Sequence, residues 1–352
     1  MIDLGQYTIK KIYVGDYISN KPLSSQLVQI GGKEKYLLMD NGYIYQFDWD
    51  SGTLEDSIPT VQCGGLSNFS GFTYLNADTV LVYNDGARTL LMINGRGERL
   101  QKIEIPASQG TSDMKPTVEA LNTTRPLRQN GRIILSGAIL GNLEMAGELG
   151  IKVPVSEYVE VQAGGWTTTV YYPEKYTQYN WGSYYLNQVS VAQDSTGHFL
   201  YSFPVCPYVL RYDSDFTSCD TLPMRSRYDK GILECDLTPE DFDVDPDKEI
   251  RYYISQTSYS DILYDAYRRL YLRLVEHPLR NWPGKGSFCK PVSVLVADMN
   301  GNVLSESKIA SFGGKVFYSN NMHVFSGGLA IAIDNPDENN IYFACIPINI
   351  KN

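Results

Sequence analysis

The sequence has 352 residues, of which 43% are hydrophobic and 20% are charged, a balance typical of a packed globular protein and not of a disordered chain. Its 40 acidic residues against 30 basic ones give a formal charge of −10, which argues against a general nucleic-acid binder, because binding to phosphates requires clustered positive charge. No apolar run approaches the roughly 18 residues of a membrane-spanning helix, and residues 1–5 lack the basic and apolar pattern of a secretion leader.

The first predicted strand, residues 7–14, alternates polar and apolar side chains. Two blocks with the same order of elements follow it, each made of three strands separated by Asx–Gly turns and ended by Pro59 or Pro106. Asn, Asp and Gly adopt left-handed backbone at low cost, so these turns predict antiparallel hairpins. The predicted strands are residues 36–39, 43–47 and 53–58 in the first block, then 79–83, 89–93 and a strand ending at residue 105 in the second.

The same unit recurs further along the chain. Its later copies contain strands at 132–136 and 166–172, then at 199–203, 208–212 and up to 222, then at 269–274, 292–297 and 303–309. The tail adds strand segments at 315–318, 323–325, 329–333 and 341–348. A repeat of roughly 45–50 residues with several strands per repeat is typical of a β-propeller, whose blades are stable only against their neighbours.

We therefore predict an all-β protein that forms a single six-bladed β-propeller. The predicted blades are residues 20–60, 61–107, 108–174, 175–224 and 225–311, with residues 312–352 and the closing strand in residues 1–19 sharing the last blade. Seven blades are an alternative because the third and fifth units are long, and an irregular pair of β-sandwiches is another. The 27 tyrosines suit half-buried strands. Helical content should be very low, with one turn at residues 238–242 as the best candidate.

The search for chemistry finds no recognised catalytic or cofactor motif. His198, His277 and His323 are not at metal-ligand spacing, and the six scattered cysteines predict mostly free, buried thiols and not a zinc site. We therefore predict no metal and no cofactor.

The most acidic segment, residues 234–249, begins like a calcium-binding loop at Asp241. An EF-hand needs Gly at the sixth loop position and Glu at the twelfth, where this sequence has Pro246 and Tyr252. We interpret the segment as a solvated acidic loop, with adventitious calcium as a minor alternative.

Residues 158–185 contain nine aromatic side chains together with Asn, Gln and Thr. Such a cluster could form a platform for sugar rings or for a partner protein. The candidate ligand-binding residues are Trp166, Tyr171, Tyr172, Tyr176, Tyr179 and Trp181. The alternative is that the first three pack between blades while residues 176–185 line an ordinary loop.

Arg268 and Arg269 follow an acidic residue in a predicted strand. Neighbouring strand residues point to opposite faces, so one arginine should point inward and pair with Asp265 or Asp261.

Three stretches, residues 72–84, 198–204 and 264–273, resemble a Bacteroidetes family of uncharacterised lipoproteins built as six-bladed TolB-like propellers. The resemblance implies a cell-envelope protein attached to the membrane only through a lipid, whose leader and lipid-bearing cysteine precede this chain. The family has no established activity.

The functional expectation is a non-catalytic envelope propeller that binds a glycan or an envelope protein, and not nucleic acid. The alternative is a glycan-active hydrolase or lyase with its site at the central channel, where inward carboxylates such as Asp40, Asp85 or Asp298 could act as acid and base. The other interpretation of these three residues is turn chemistry, because each adjoins or begins a turn.

Overall fold

The computed structural model describes residues 2–4, 6–22, 24–60, 69–84, 87–105, 117–118, 121–139, 141, 143–182, 184–238, 241, 244–245, 247–279, 289–309 and 317–350. In these ranges the strands form six antiparallel sheets arranged as a six-bladed propeller. The predicted all-β propeller is therefore confirmed, and the seven-bladed and sandwich alternatives are excluded.

The chain begins with β1 (Ile2–Leu4) and β2 (Thr8–Tyr13), and five sheets then follow in chain order. Blade 1 consists of β3 (Ser24–Ile30), β4 (Lys33–Asp40), β5 (Tyr43–Asp48) and β6 (Leu54–Pro59). Blade 2 consists of β7 (Gly71–Asn76), β8 (Thr79–Asn84), β9 (Thr89–Ile93) and β10 (Arg99–Glu104). Blade 3 consists of β11 (Thr117–Val118), β12 (Leu127–Gln129), β13 (Arg132–Ala138), β14 (Pro154–Glu160) and β15 (Trp166–Tyr171).

The second half of the ring has the same construction. Blade 4 consists of β16 (Ser190–Gln193), β17 (Phe199–Ser202), β18 (Val209–Tyr212) and β19 (Cys219–Leu222). Blade 5 consists of β20 (Ser258–Asp265), β21 (Leu270–Glu276), β22 (Val292–Ala297) and β23 (Val303–Ile309). Blade 6 combines β24 (Phe317–Phe325), β25 (Gly328–Ile333) and β26 (Asn340–Ile350) with β2 and β1 from the start of the chain.

The two ends of the chain close the ring by sharing blade 6, as predicted. Strand β2 pairs with β26 from Thr8 opposite Cys345 to Tyr13 opposite Asn340, and β1 pairs with the last residues of β26. The closure joins the first and last segments of the chain in one hydrogen-bonded sheet, so neither end is left as a free repeat that could open the ring.

The hydrophobic core is divided among the six interfaces between neighbouring blades. In the described part of the chain, each interface has its own cluster of buried residues. Each cluster holds residues from both of its blades, and one member from each blade, taken around the ring, is Leu37 with Phe72, Leu81 with Ile133, Ile134 with Phe199, Leu200 with Tyr271, Leu272 with Leu329 and Phe343 with Tyr36. Because both faces of each sheet are covered, central strands such as β8, β21 and β22 are buried along their whole length.

The recurring turn glycines have a second role besides closing hairpins. Gly97 lies in the turn between β9 and β10 with φ +77°, and a Cβ there would lie 2.1 Å from the carbonyl oxygen of Pro59 in blade 1. Gly52 and Gly301 lie in the corresponding turns of blades 1 and 5, where a Cβ would lie 2.5 Å from the carbonyl oxygen of Lys11 and 2.7 Å from Cβ of Leu222, both in the outer strands of the preceding blades. The repeated Asx–Gly signal therefore also marks where neighbouring blades meet.

Antiparallel order sends the connections to two different faces of the ring. Connections between the first and second strands and between the third and fourth strands of each blade are short and lie on one face, which we call the turn face. The other face, which we call the loop face, carries the long connections 139–153, 172–189 and 223–257. The three described helices, α1 (Glu144–Glu148), α2 (Lys175–Gln178) and α3 (Asp247–Ser255), lie in these long connections.

Helix α3 corrects the interpretation of the acidic segment as a simple loop. Its first residues belong to that segment, and two of the segment's carboxylates pair with cations of the helix, Asp241 with Lys248 at 2.6 Å and Asp245 with Arg251. The turn predicted at residues 238–242 lies largely outside the described residues. Within the described ranges, none of the helices is long and apolar enough to cross a bilayer.

Candidate functional site

The inner strand of blade 3 is interrupted in its middle. Strands β11 and β12 both pair with β13, Val118 opposite Gly137 and Leu127 opposite Ile134. The pairing partner on β13 advances by only three residues between these two points, and residues 121–126 lie outside the sheet and border the central channel.

The looped-out residues cross the channel from one side to the other. Asn122 Oδ1 accepts a hydrogen bond from the backbone N–H of Ser25 in blade 1, at 2.7 Å. The carbonyl of Thr123 accepts one from the N–H of Val191 in blade 4, also at 2.7 Å. Blades 1 and 4 are opposite each other in a ring of six, so residues 121–127, which we call the cross-channel segment, divide the channel into two chambers.

The chamber on the loop face is a pocket of about 360 Å³ between blades 4 and 5, and we call it the loop-face pocket. It lies where β16 and β20 begin, beneath the connections 172–189 and 223–257. Its walls include Leu121 and Thr123 of the cross-channel segment, and the polar and aromatic side chains of Tyr184, Tyr185, Gln188, Tyr253, Tyr259, Asp261 and Glu276.

The tyrosines of the loop-face pocket hold one another in place. Tyr185 stacks on Tyr253 of α3 with 4.8 Å between ring centroids and an interplanar angle of 15°. Tyr184 meets the Tyr185 ring edge-on at 5.4 Å, and its backbone N–H donates to Glu249 Oε1 at 2.9 Å. Helix α3 thus fixes both the stacked partner and the loop that carries the other two rings.

Two carboxyl groups give the pocket its electrostatic character. Burial and, to a smaller extent, the negative charge of Glu276 raise the pKa of Asp261 to about 7, so this carboxyl group holds its proton far more tightly than an exposed aspartate does. Glu276 accepts hydrogen bonds from Tyr253 Oη at 2.5 Å and from Ser258 Oγ at 2.9 Å. Its cationic partner is Lys290 at 3.5 Å, whose pKa burial lowers to about 8 although Glu276 acts in the opposite direction.

A fully buried arginine supports the pocket from behind. Arg273 donates to the carbonyls of Met224 at 3.0 Å and of Cys206 at 2.8 Å and to Ser202 Oγ at 3.0 Å, and its guanidinium lies 3.9 Å from the ring centroid of Tyr259. Burial lowers the pKa of Arg273 to about 10, which leaves it charged at neutral pH. This side chain joins blade 5 to the loops of blade 4 that border the pocket.

The structure corrects the aromatic platform predicted in residues 158–185. Tyr172, Tyr176 and Trp181 are at most 6% exposed and belong to the core between blades 3 and 4. The hydroxyls of Tyr172 and Tyr176 donate to the carbonyls of Asn187 and Leu186, and the Trp181 indole donates to the Lys175 carbonyl. Rings covered in this way cannot receive a ligand, because the connection folds back over its own blade.

The other three candidates do not come together in one place. Trp166 is half-buried at the start of β15 against the interface of blades 2 and 3, whereas Tyr171 and Tyr179 are 40% and 44% exposed. None of the three lines either chamber of the channel. The aromatic segment 158–185 does reach the loop-face pocket, but through Tyr184 and Tyr185. These two residues were counted in the aromatic cluster of the sequence and were not chosen as candidate ligand-binding residues.

Two of the three carboxylates considered for channel catalysis bind backbone N–H groups at turns. Asp40 accepts the N–H of Ser19 at 2.9 Å, and Asp298 accepts the N–H groups of Asn300 and Asn302. Neither lines a chamber, and Asp85 lies outside the described residues. Sequence reasoning missed Asp261 as a pocket group and considered it only as an arginine partner.

Of the two neighbouring arginines, one pairs with a carboxylate as predicted, but neither lies on a strand. Arg268 pairs with the fully buried Asp265 at 3.0 Å. Both arginines lie in the turn between β20 and β21 and not on a strand, and Arg269 has φ +55°.

The cysteines and histidines do not form a reactive centre in the described part of the chain. Five cysteines are free there, and Cys206, Cys235 and Cys345 among them are buried, while Cys63 lies outside the described residues. No three metal-ligating side chains of the described residues are grouped so that they could hold an ion.

The same residues can be compared with those of known proteins. A family model described as a domain of unknown function, DUF4221, matches residues 1–308. The chain belongs to the DUF4221 family. This membership confirms the resemblance found in the sequence, whereas the lipid anchor that the resemblance implies stays a prediction.

Solved structures share the fold of this DUF4221 protein. A family member from Bacteroides vulgatus superposes with a TM-score of 0.83 over 99% of both chains at 18% identity. A putative exported protein from Bacteroides fragilis superposes with a TM-score of 0.61 over 100% of this chain and 96% of its own, at 12% identity. At these identities the likeness shows the fold alone. No curated protein matches the sequence.

Proposed function

We propose that this DUF4221 protein is a non-catalytic binding module that holds a glycan in the loop-face pocket. The observation that carries the proposal is one concave site that combines the rings of Tyr184, Tyr185 and Tyr253 with the hydrogen-bonding groups of Asp261 and Gln188. A sugar ring has apolar C–H faces and hydroxyl edges, and aromatic faces beside carboxyl and amide groups complement both.

The size and position of the pocket support the same proposal. A volume of about 360 Å³ is at the lower end of small-molecule sites and suits one or two sugar rings. The pocket is built from loop residues and α3 resting on β20, so a rigid ring presents adaptable groups at its surface.

The test begins with a glycan array and continues with calorimetric titration of the best oligosaccharide. Tyr185→Leu should weaken binding at least about tenfold, because it removes one ring of the stacked pair. The matched control is Tyr179→Leu, which removes a more exposed ring from the same connection outside the pocket and should bind as the wild type does.

Two outcomes would contradict the glycan proposal. The first is an array without binding, and the second is an equal loss of affinity in the two variants. Retention of an envelope protein by the wild type, lost in Tyr185→Leu, would show instead that the pocket recognises a protein.

A glycan-active hydrolase or lyase is the second candidate function, and one observation favours it. A carboxyl group with a pKa of about 7 can both donate and accept a proton near neutral pH, as acid–base catalysis requires. Glu276 lines the same pocket as a second carboxyl group.

A polysaccharide turnover screen separates the enzyme from the binding module. For an enzyme, Asp261→Asn should abolish turnover and keep binding, since the amide preserves shape and cannot exchange the proton. Binding of the same oligosaccharide by the wild type without turnover would contradict the enzyme and support the module.

We further propose that the protein works in the cell envelope, held there by a lipid. The family resemblance supports this, as does the description of the Bacteroides fragilis neighbour as a putative exported protein. Labelling of cells with a radioactive fatty acid should label the protein, and added protease should reach it once the outer membrane is opened. An unlabelled protein confined to the cytoplasm would contradict the proposal.

A further inference from the structure

The second chamber of the channel is larger than the loop-face pocket and differs from it in charge. This turn-face cavity has a volume of about 720 Å³ and is bounded by the second halves of β3, β16, β20 and β24 together with the cross-channel segment. Among the described residues that line it there is no aspartate or glutamate. Its volume is that of a small-molecule site.

Arg125 of the cross-channel segment is the charged group of this cavity. Its Nε and Nη2 atoms donate to the carbonyl oxygen of Asn122 at 3.2 and 3.0 Å, which fixes the guanidinium on its own turn. Among the described residues no carboxylate lies within ion-pair distance of Arg125, whereas Arg268 in the turn between β20 and β21 pairs with Asp265. Burial alone lowers the pKa of Arg125 to about 10, so the side chain remains cationic at neutral pH.

The groups that the structure describes around Arg125 do not neutralise its charge. His323 lines the same cavity, and burial together with the charge of Arg125 lowers its pKa to about 3, which keeps the imidazole neutral. Its Nε2 atom lies 2.7 Å from Asn321 Oδ1 and 3.2 Å from Ser25 Oγ. His323, Asn321 and Ser25 therefore form a polar, uncharged group of side chains beside the cation of Arg125.

Arg125 is partly buried, and a cation in such a place is unfavourable unless its N–H donors are paired, which an anion bound in the cavity would do. A guanidinium has five N–H donors in a planar fork that matches carboxylate, sulfate and phosphate oxygens. The carbonyl of Asn122 accepts hydrogen bonds from only two of the nitrogen atoms of Arg125, Nε and Nη2. Gln29, Gln193 and Tyr267 line the cavity near the turn face and could hydrogen-bond the uncharged part of a ligand.

We propose that the turn-face cavity is a binding site for a small organic anion whose oxyanion group pairs with Arg125. The shared chemistry is a carboxylate, a sulfate ester or a phosphate ester on a polar body. The site is separate from the loop-face pocket, because the cross-channel segment lies between them.

Calorimetric titration with four compounds of one six-carbon skeleton tests the proposal: glucuronate, glucose 6-sulfate, glucose 6-phosphate and uncharged glucose. The wild type should bind at least one of the three anions more tightly than glucose, and Arg125→Gln should weaken that binding at least about tenfold. The preferred oxyanion identifies the chemical source of the ligand. Tyr185→Leu should bind the anion as the wild type does, which separates this site from the proposed glycan pocket.

Thermal melting of Arg125→Gln without ligand provides the second readout. Removal of a partly buried charge that has no counter-charge among the described residues should leave the melting temperature unchanged or raise it, as expected for a binding residue. The proposal is overturned if the wild type binds none of the three anions, or binds glucose as tightly as it binds them. It is also overturned if Arg125→Gln binds the anion as tightly as the wild type does, or if Tyr185→Leu abolishes anion binding. A melting temperature of Arg125→Gln many degrees below that of the wild type would overturn it as well.

Discussion

Ser25 and Asn122 are 97 residues apart in the sequence, and the backbone N–H of the first donates to the side-chain oxygen of the second at 2.7 Å inside the channel. The N–H belongs to the free edge of an inner strand, where an ordinary propeller has only solvent to satisfy it. The looped-out middle of the blade 3 inner strand supplies the acceptor. This contact and that of Thr123 with Val191 connect blades 1 and 4 across the axis.

Asn122→Ala should loosen this connection. The substitution leaves the buried N–H of Ser25 without its acceptor, so we expect a loss of about 2 kcal/mol in the free energy of unfolding. Hydrogen exchange should accelerate at the amides of Ser25 and Val191. The exposed Asn339→Ala is the control, and unchanged protection of Ser25 in Asn122→Ala would contradict the crossing.

The stability of the protein should respond to Asp261 with a defined sign. The folded-state pKa of about 7 lies above the ordinary value of 3.8, so the folded state holds the proton more tightly, and the free energy of unfolding falls as pH rises between these values. Asp261→Asn removes the effect and should be more stable than the wild type by about 3 kcal/mol at pH 8, with the difference vanishing near pH 4.

Urea unfolding of both proteins across this pH range measures the effect of Asp261. The exposed Asp236→Asn serves as the control and should follow the wild type at every pH. A constant difference between Asp261→Asn and the wild type would show that Asp261 does not take up a proton on folding.

Arg273→Met should destabilise the junction of blades 4 and 5. The carbonyls of Met224 and Cys206 would lose their donor in a site closed to water, at an expected cost of about 3 kcal/mol. Arg99→Met makes the same change at an exposed strand position and should cost less than about 0.5 kcal/mol. Equal denaturation midpoints for the two variants would disprove the supporting role of Arg273.

A comparison of Gly97→Ala with Gly31→Ala distinguishes the cost of a clash between blades from the cost of backbone strain. Both have positive φ, but a Cβ at Gly97 would lie 2.1 Å from the Pro59 carbonyl, whereas nothing lies within 4 Å of a Cβ at Gly31. Gly31→Ala should cost about 1 kcal/mol for strain alone, and Gly97→Ala at least about 2 kcal/mol more. Similar losses in urea unfolding would show that the blades do not meet at this turn.

The sequence predicted the outer parts of the blades better than the inner strands. The strands β9, β22 and β23 have the predicted bounds, because they are compact runs bounded by Asx–Gly turns. The inner strands β3 and β20 were missed, since Ser25, Gln26 and Asp261 belong to strands with one edge in the channel and break the apolar pattern. These same polar residues supply the hydrogen-bonding groups of the channel.

The aromatic stretch of the sequence reaches the loop-face pocket, but not through the residues chosen as candidates. Tyr172 and Tyr176 are covered because backbone carbonyls of their own connection satisfy their hydroxyls. Such satisfaction depends on how the loop folds back, which composition does not encode. Helix α3 was missed in the sequence for a similar reason. The carboxylates that form its ion pairs are read in the sequence as part of a solvated acidic loop.

A crystal structure of the protein with its tightest-binding oligosaccharide tests the proposed site most directly. We predict a sugar ring against Tyr184, Tyr185 or Tyr253, with a hydroxyl within hydrogen-bond distance of the Asp261 carboxyl group. A sugar bound around Tyr171 or Tyr179, or in the turn-face cavity, with the loop-face pocket unoccupied, would contradict it.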